Sequence, residues 1–462
     1  MRIARRSPWC LPPRLVIIGL LCVLSGLPAQ AGEVEVEPDE LRAVAREALR
    51  RAEPDVAVGY AEALLTRNDE DVGAHLLRAR GLRDMGREGE ARAAAMSAWR
   101  LADTPEARHA SALVMAQALA SAGQRTRAQW WLRRAVHHAP DEAARRRAIR
   151  DFRYVRARNP WSTELRFSVA PRSNVNGGSA RSTIRIYDLP FDFRLRGSAQ
   201  ALSGTEIAAG VSTGYRLRGS ARRKTEAILR ADYRTYRLTD DAQDKAPAVE
   251  GSDFALGSLA VTLAETWRSR TDGAPRRVAA TLGQVWYGGA PYTSFLRLSG
   301  RRHWALGSRR TAHVSVMAEA QRGRDGRADS GKLRVGAGTA RQLASGHRLR
   351  LHVAATASRS RAAARDYDRL EAGARLDLAE PVLGAVLDFG LRVEGESYAG
   401  RFFGMTGRED RTVTLDATAD LAELEQYGFM PSVTIRAERT QSTLGLYDTE
   451  KLGLELGWRS AF

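Results

Sequence analysis

Cysteine is nearly absent: the 462-residue chain has two, Cys10 and Cys22, both near its start. From residue 23 onward there is no thiol, which excludes disulfides, thiolate metal sites and a thiol nucleophile. Long apolar runs are also lacking. The one candidate, residues 15–27, falls short of the roughly 20 residues a membrane-spanning helix needs. Constellations of catalytic side chains are scarce as well.

The first segment nevertheless has the three parts of a secretory signal. Arg2, Arg5, Arg6 and Arg14 precede the apolar run, and Ala29-Gln30-Ala31 follows it as a small-x-small cleavage site. Cleavage after Ala31 is expected, with Ala29 and Ala31 as the recognised positions. Leu20 and Leu21 stand directly before Cys22, where lipid attachment wants a small residue. The exported chain is therefore expected to carry no cysteine and no lipid.

The formal charge is +18. Of this, +4 lies in residues 1–31, +3 in 32–160 and +11 in 161–462. A basic balance often points to nucleic acid, but that reading requires Lys and Arg clustered on one face in a compartment that holds nucleic acid. Export and dispersed arginines argue against it, so no nucleic-acid partner is expected. Basic groups on a barrel can instead meet lipid phosphates or line a water-filled lumen.

Residues 38–158 are rich in Ala, Leu, Arg and Glu, spaced as helices and poor in β-branching. They also repeat. Ala61, Ala98 and Ala135 recur at 37-residue intervals, as do Gly86 and Gly123, and Ala91 and Ala128. Small residues let paired helices approach and glycine turns the chain between them. With Pro140 closing the last unit, the pattern resembles tetratricopeptide repeats stretched by three residues. Trp130 and Trp131 fall in the last hairpin and are candidates for a cargo groove.

Beyond Pro160 the period changes to two. Leu452, Leu454, Leu456, Trp458 and Phe462 share one face, with Lys451, Gly453, Glu455, Gly457 and Arg459 on the other. Val413, Leu415, Ala417, Ala419 and Leu421 alternate in the same way with Thr412, Thr414, Asp416, Thr418 and Asp420. Candidate strands begin near Thr163, Glu206, Arg222, Ser252, Arg277, Tyr292, Arg310, Lys332, His347, Arg369, Ala385, Asp410, Pro431 and Glu450. Each is long enough to cross a bilayer when tilted. Short turns at Gly219-Ser220, Gly307-Ser308 and Ser345-Gly346 alternate with longer links at 239–251, 323–330 and 397–408, as outer-membrane barrels require. The link at 288–291 is short where a long one is expected. An even strand count puts both barrel ends on one side. Leu456, Trp458 and the terminal Phe462 make up the expected signal for the outer-membrane assembly machinery, with Ser460 as a departure.

The expected fold class is therefore α + β multidomain. A signal peptide (1–31) precedes tetratricopeptide-like helical repeats (32–159) and a transmembrane antiparallel β-barrel of about 14 strands (160–462). Possible sites of chemistry do not survive their contexts. His313-Val314-Ser315 puts His313 and Ser315 on the lumen face, away from lipid. His137 and His138 end a helix, where they satisfy carbonyls, and they lack partner ligands. Gly336-Ala337-Gly338 sits in an alternating strand and opens no helix. No enzyme, metal or cofactor is expected.

Ala170-Pro171-Arg172-Ser173-Asn174-Val175-Asn176, at the exit of the first strand, resembles a segment of the surface lipoprotein assembly modulators, the Slam family. Arg172 and Val175 replace that segment's Asp and Ile. Ser442-Thr443-Leu444-Gly445-Leu446-Tyr447-Asp448 is similar to a second family segment, with Thr443 and Gly445 as departures. Asn174 and Asn176 equally suit an Asx turn at a strand end. The resemblance runs from about residue 55 to the end and implies an outer-membrane translocator that moves a partner protein, often a lipoprotein, to the cell surface. On that reading Pro171, Ser173, Asn174, Asn176, Leu446, Tyr447 and Asp448 are family positions. The partners are a cargo protein, periplasmic chaperones, the assembly machinery and outer-membrane lipid. The alternatives are an exporter of an anionic exopolysaccharide and a passive porin.

The alternation of the closing strand gives a direct test. Leu454→Arg puts a cation against lipid, at about 2 to 4 kcal/mol near the midplane, whereas Glu455→Arg leaves its charge in the lumen. Heat-modifiable mobility of the extracted barrel should be lost in the first variant and kept in the second. Equal loss in both would refute the assigned faces.

Overall fold

A computed structural model describes residues 36–184, 193–268, 274–400 and 407–460. The leader with Ala29 and Ala31, and the terminal Phe462, lie outside the described residues. Seven helices come first: α1 (Pro38–Arg50), α2 (Pro54–Arg67), α3 (Val72–Asp84), α4 (Glu88–Leu101), α5 (Pro105–Ser121), α6 (Arg125–His137) and α7 (Glu142–Arg158). Asp71, Thr104 and Asp141 cap α3, α5 and α7 by accepting from the amides of Ala74, Ala107 and Ala144. Burial raises the Asp71 carboxyl, but the Arg42 hydrogen bond and the capped amides outweigh it and hold the group below the usual carboxylate range. Proline opens α1, α2 and α5, where its missing N–H costs nothing.

Each helix packs on the next in sequence, and the contacts are lined by alanine. The 37-residue register read from Ala61 and Ala98 needs correcting for the first repeat. Structurally equivalent helices α2 and α4 start 34 residues apart, whereas α4 and α6, like α5 and α7, are separated by 37. The buried sets are accordingly Ala45, Ala79 and Ala116, then Ala57, Ala91 and Ala128, while Ala61 matches Ala95. The extra residues enter because α5 is a turn longer than α3. Gly86 and Gly123 end α3 and α5 at φ +75° and +73°, as a left-handed helix stop requires. Ala52 holds the same place after α1 at φ 60°, without glycine's freedom, which is why no glycine period marked the first repeat.

The second part is a closed antiparallel barrel. Its strands are β1 (Trp161–Arg172), β4 (Gly204–Gly219), β5 (Arg223–Leu238), β6 (Leu256–Arg268), β7 (Pro275–Tyr287), β8 (Ala290–Ala305), β9 (Arg310–Gly323), β10 (Ser330–Gln342), β11 (Arg348–Ser360), β12 (Tyr367–Asp377), β13 (Ala385–Tyr398), β14 (Arg408–Leu421), β15 (Phe429–Ser442) and β16 (Thr449–Ser460). A short pair, β2 (Thr183–Ile184) and β3 (Phe193–Arg194), belongs to the first loop. Each barrel strand pairs with its sequence neighbour, and β1 closes on β16. The fourteen strands match the fourteen read from the sequence. The strand placed near Ser252 starts later, at Leu256, after a short 3-10 turn at Gly251–Phe254.

Alternation sorts the side chains. Leu165, Leu229, Val261, Leu282, Leu298, Val335, Leu370, Leu415, Leu454 and Trp458 are exposed on the outside, a belt that only lipid can cover. Trp161 and Tyr215 stack at one rim, with ring centroids 4.7 Å apart, as interfacial aromatics do. No helix among the described residues is long and apolar enough to cross a membrane.

The loop at 239–251 is itself folded. It contains α8 (Asp240–Lys245), whose Ala242 packs with Leu202 and Ala246.

Candidate functional site

Inward positions carry charge of both signs in cross-strand pairs. Arg334 on β10 reaches Glu371 on β12 at 2.8 Å, and Arg297 on β8 reaches Glu319 on β9 at 2.5 Å. Arg375 bridges Asp388 and Asp416 from β12 to β14. Lys451 pairs with Glu438 at 2.8 Å, and Glu455 accepts from Arg172 at 3.3 Å, so both inward residues of the closing strand meet lumen partners. The side chain of Arg459 lies outside the described residues. His313 and Ser315 also face inward, between outward Val314 and Val316. A Cβ on Gly338 would stand 2.5 Å from the His313 ring, so the Gly336-Ala337-Gly338 segment leaves room for an inward imidazole. Among the described residues no cluster of three or more His, Cys, Asp or Glu could hold a metal ion.

The barrel closes where β1 meets β16. Towards β4, β1 is paired along its whole length, from Trp161↔Tyr215 to Arg172↔Gly204. Towards β16, described pairing runs only between Arg172↔Gly453 and Ser168↔Gly457. Pro171, which lacks an N–H, lies within that short stretch.

The two segments singled out from the sequence meet at one end of this seam. Ser173 donates its amide to the Leu452 carbonyl at 3.0 Å, and its hydroxyl accepts the Leu452 amide at 2.8 Å. Ser179 Oγ donates to the Gly445 carbonyl at 3.1 Å, and the Ala180 amide donates to the Asp448 carbonyl at 2.8 Å. Asp448 also accepts the Ser442 amide at 2.7 Å and pairs with Arg181 at 2.6 Å. Asn174 donates to the Gly178 carbonyl, and Asn176 ties Gly178, Ser198, Gln200 and Leu202 together. Tyr447 stacks on the buried Arg408, which Tyr398 covers from its other side. Leu446 sits in the same short turn, Gly445–Tyr447. These residues hold the first loop against the last hairpin. Beneath them Arg172, Glu206, Tyr236 and Glu438 line a polar cavity of about 350 Å3.

The helices meet the opposite end. Arg133 of α6 donates to the carbonyls of Tyr427 and Gly428 at 3.1 and 2.9 Å, and to Ser460 Oγ at 2.9 Å. Its guanidinium lies 4.4 Å from the Phe429 ring, and burial pulls it below the usual guanidinium pKa. Arg145 of α7 pairs with Glu425 at 2.5 Å. His137 stacks on Tyr427 with centroids 4.1 Å apart. Next to it, burial, aided by the charges of His137 and Arg108, pushes His138 below the ordinary imidazole range. On the other edge, Asn159 Nδ2 donates to Thr126 of α6 at 2.9 Å, and Arg216 of β4 donates to the Ala157 carbonyl at 2.9 Å.

Trp130 and Trp131, the candidates for a cargo groove, turn to different surroundings. Adjacent helical residues point about 100° apart. Trp131 packs edge-on against Trp99 in the helical core, while Trp130 is half exposed and turned towards Phe429 of the barrel. Arg133, Arg145 and Tyr427 were missed, because no local pattern marks a contact between residues nearly 300 positions apart.

Asp448→Ala removes an acceptor and an ion-pair partner from a buried corner, at about 1 to 3 kcal/mol. It should lower the temperature at which the folded barrel loses its heat-modifiable mobility. Asp448→Asn, which keeps an acceptor for Ser442, should lower it less.

No protein-family model matches the chain, and no curated protein matches it. Among solved structures, the helical part is similar to SycD, the type III secretion translocator chaperone of Yersinia enterocolitica. The identity is 16%, covering 27% of this chain and 88% of that one, with a TM-score of 0.24. The barrel is similar to an outer-membrane channel of Pseudomonas putida F1, at 11% identity over 63% of this chain and 94% of that one, TM-score 0.31. It is also similar to a BenF-like porin of Pseudomonas fluorescens Pf-5, at 8% identity over 65% and 98%, TM-score 0.37. At these identities and scores the likeness is one of fold type and carries no argument about activity.

Proposed function

We propose that this chain is an outer-membrane translocator whose helical domain lies in the periplasm and which delivers a partner protein, a surface lipoprotein or a related secreted cargo, to the cell surface. The observation that carries the reading is the seating of α6 and α7 on the barrel rim at the closing seam, through Arg133, Arg145 and His137. A pore for small solutes has no use for a folded domain held at its mouth. A machine that must receive a polypeptide before passing it on does.

The tetratricopeptide-like repeats are the receiving surface for cargo or its periplasmic chaperone, and the Slam-like segments at 170–176 and 442–448 support the assignment. Delivery on this reading needs no cofactor and no covalent intermediate. Export of an anionic exopolysaccharide fits less well, since that task wants a lumen of unneutralised cations. Here Arg297, Arg334, Arg375 and Lys451 are each matched by a carboxylate.

An epitope inserted near Asp244, on the loop opposite the helices, should be labelled on intact cells, and one in α1 only after the outer membrane is permeabilised. Proteomics of surface-exposed proteins with and without the gene should then show the loss of at least one surface protein. An unchanged surface proteome would reject the translocator reading.

A further inference from the structure

The charges around the cavity beneath the first loop do not balance. Four cations line it, Arg172, Arg234, Arg436 and Lys451, against two carboxylates, Glu206 and Glu438. Both carboxylates are taken. Glu206 accepts from Arg172 at 2.8 Å, and Glu438 pairs with Lys451 at 2.8 Å. Among the described residues Arg234 and Arg436 make no hydrogen bond or ion pair, and both side chains are exposed to the lumen.

The acids that could serve them are committed elsewhere. Asp232, two residues from Arg234 on the same inward face, pairs with Arg166 at 2.7 Å, and the register partners of Arg234 are the uncharged Ala208 and Leu256. Asp416 stands opposite Arg436 in the register but is held by Arg375 at 2.5 Å, while Glu455 of β16 accepts from Arg172 at 3.3 Å. Two guanidinium groups thus face one enclosed polar space with no protein counter-charge of their own.

A cleft that carries one sign of charge between low-dielectric walls concentrates the opposite ion. The guanidinium fork then holds a carboxylate or phosphate through two parallel hydrogen bonds. At about 350 Å3 the cavity falls in the range of small-molecule sites. Its place in the ring matters too. In the order β15-β16-β1-β4-β5, Arg436 on β15 and Arg234 on β5 lie on opposite sides of the closure of β1 on β16.

We infer that this cavity binds a small polyanion, a molecule with at least two carboxylate or phosphate groups, one on Arg234 and one on Arg436. The excess of two cations sets its charge. Held there, the anion spans from β5 to β15 and ties the closing contact from inside the barrel. The site does not depend on what the barrel delivers.

The test uses the purified full-length chain in neutral detergent micelles, in chloride buffer of fixed ionic strength. Citrate probes for carboxylates, pyrophosphate for phosphates and acetate for a single charge. Calorimetric titration should show one citrate or one pyrophosphate bound per chain, with acetate far weaker, and the tighter of the two names the anionic group. The same anion should raise the temperature at which heat-modifiable mobility is lost. Arg234→Gln and Arg436→Gln should each weaken binding by about ten-fold, the loss of a charge-assisted contact. Arg230→Gln, inward on β5 but outside the cavity, should leave it unchanged. Binding that survives with both arginines replaced, or that Arg230→Gln weakens equally, overturns the site, as does failure of both polyanions to bind. Should a glutamine variant not fold, Arg234→Lys and Arg436→Lys decide, because they keep the charge and lose the fork. Reduced affinity in them supports the site, and unchanged affinity overturns it.

Discussion

A sheet surrounded by hydrocarbon must hydrogen-bond to itself all the way round, because lipid offers its peptide groups no partner. For this chain that demand falls on one contact, β1 against β16, because these two strands stand at opposite ends of the barrel sequence and must meet without a connecting turn. The rest of the molecule is arranged around that contact. The two Slam-like segments staple one of its ends, and the helical domain sits at the other, touching both edges.

The lumen follows from the same alternation. Every outward apolar residue forces its neighbours inward, and this sequence makes many of those neighbours arginine or acid. Paired across adjacent strands, as in Arg334 with Glu371 and Arg375 with Asp416, they neutralise one another and fill space between the walls. Glycines such as Gly338 and Gly453 stand where a large inward side chain, His313 or Arg172, leans across the neighbouring strand. Such pairs are neutral, so the net positive charge of the barrel is carried by the cations in excess of its carboxylates.

Much of this was legible because period-two patterning is local. The closing strand and the strand count could be read from neighbouring residues, while the two loop segments were singled out by a resemblance, and the outward Leu454 and inward Glu455 lie as the pattern demands. The first helical repeat was misregistered because alanine is so frequent that Ala61 could be matched to Ala98 as readily as to Ala95, and Ala52 hid the turn that glycine marks elsewhere. The clamp was invisible for a different reason. Arg133, Tyr427 and Ser460 are ordinary residues in ordinary elements, and only the closing of the barrel brings residues 133 and 460 together.

The central claim is that the first loop and the last hairpin staple the closure of β1 on β16. Amide-resolved hydrogen exchange of the full chain in micelles reads this directly. The amides of Ser173, Ala180 and Leu452, which donate across that closure, should be as protected as that of Leu282 in the middle of the sheet. Fast exchange at Ser173, Ala180 and Leu452 beside a protected Leu282 would contradict the account.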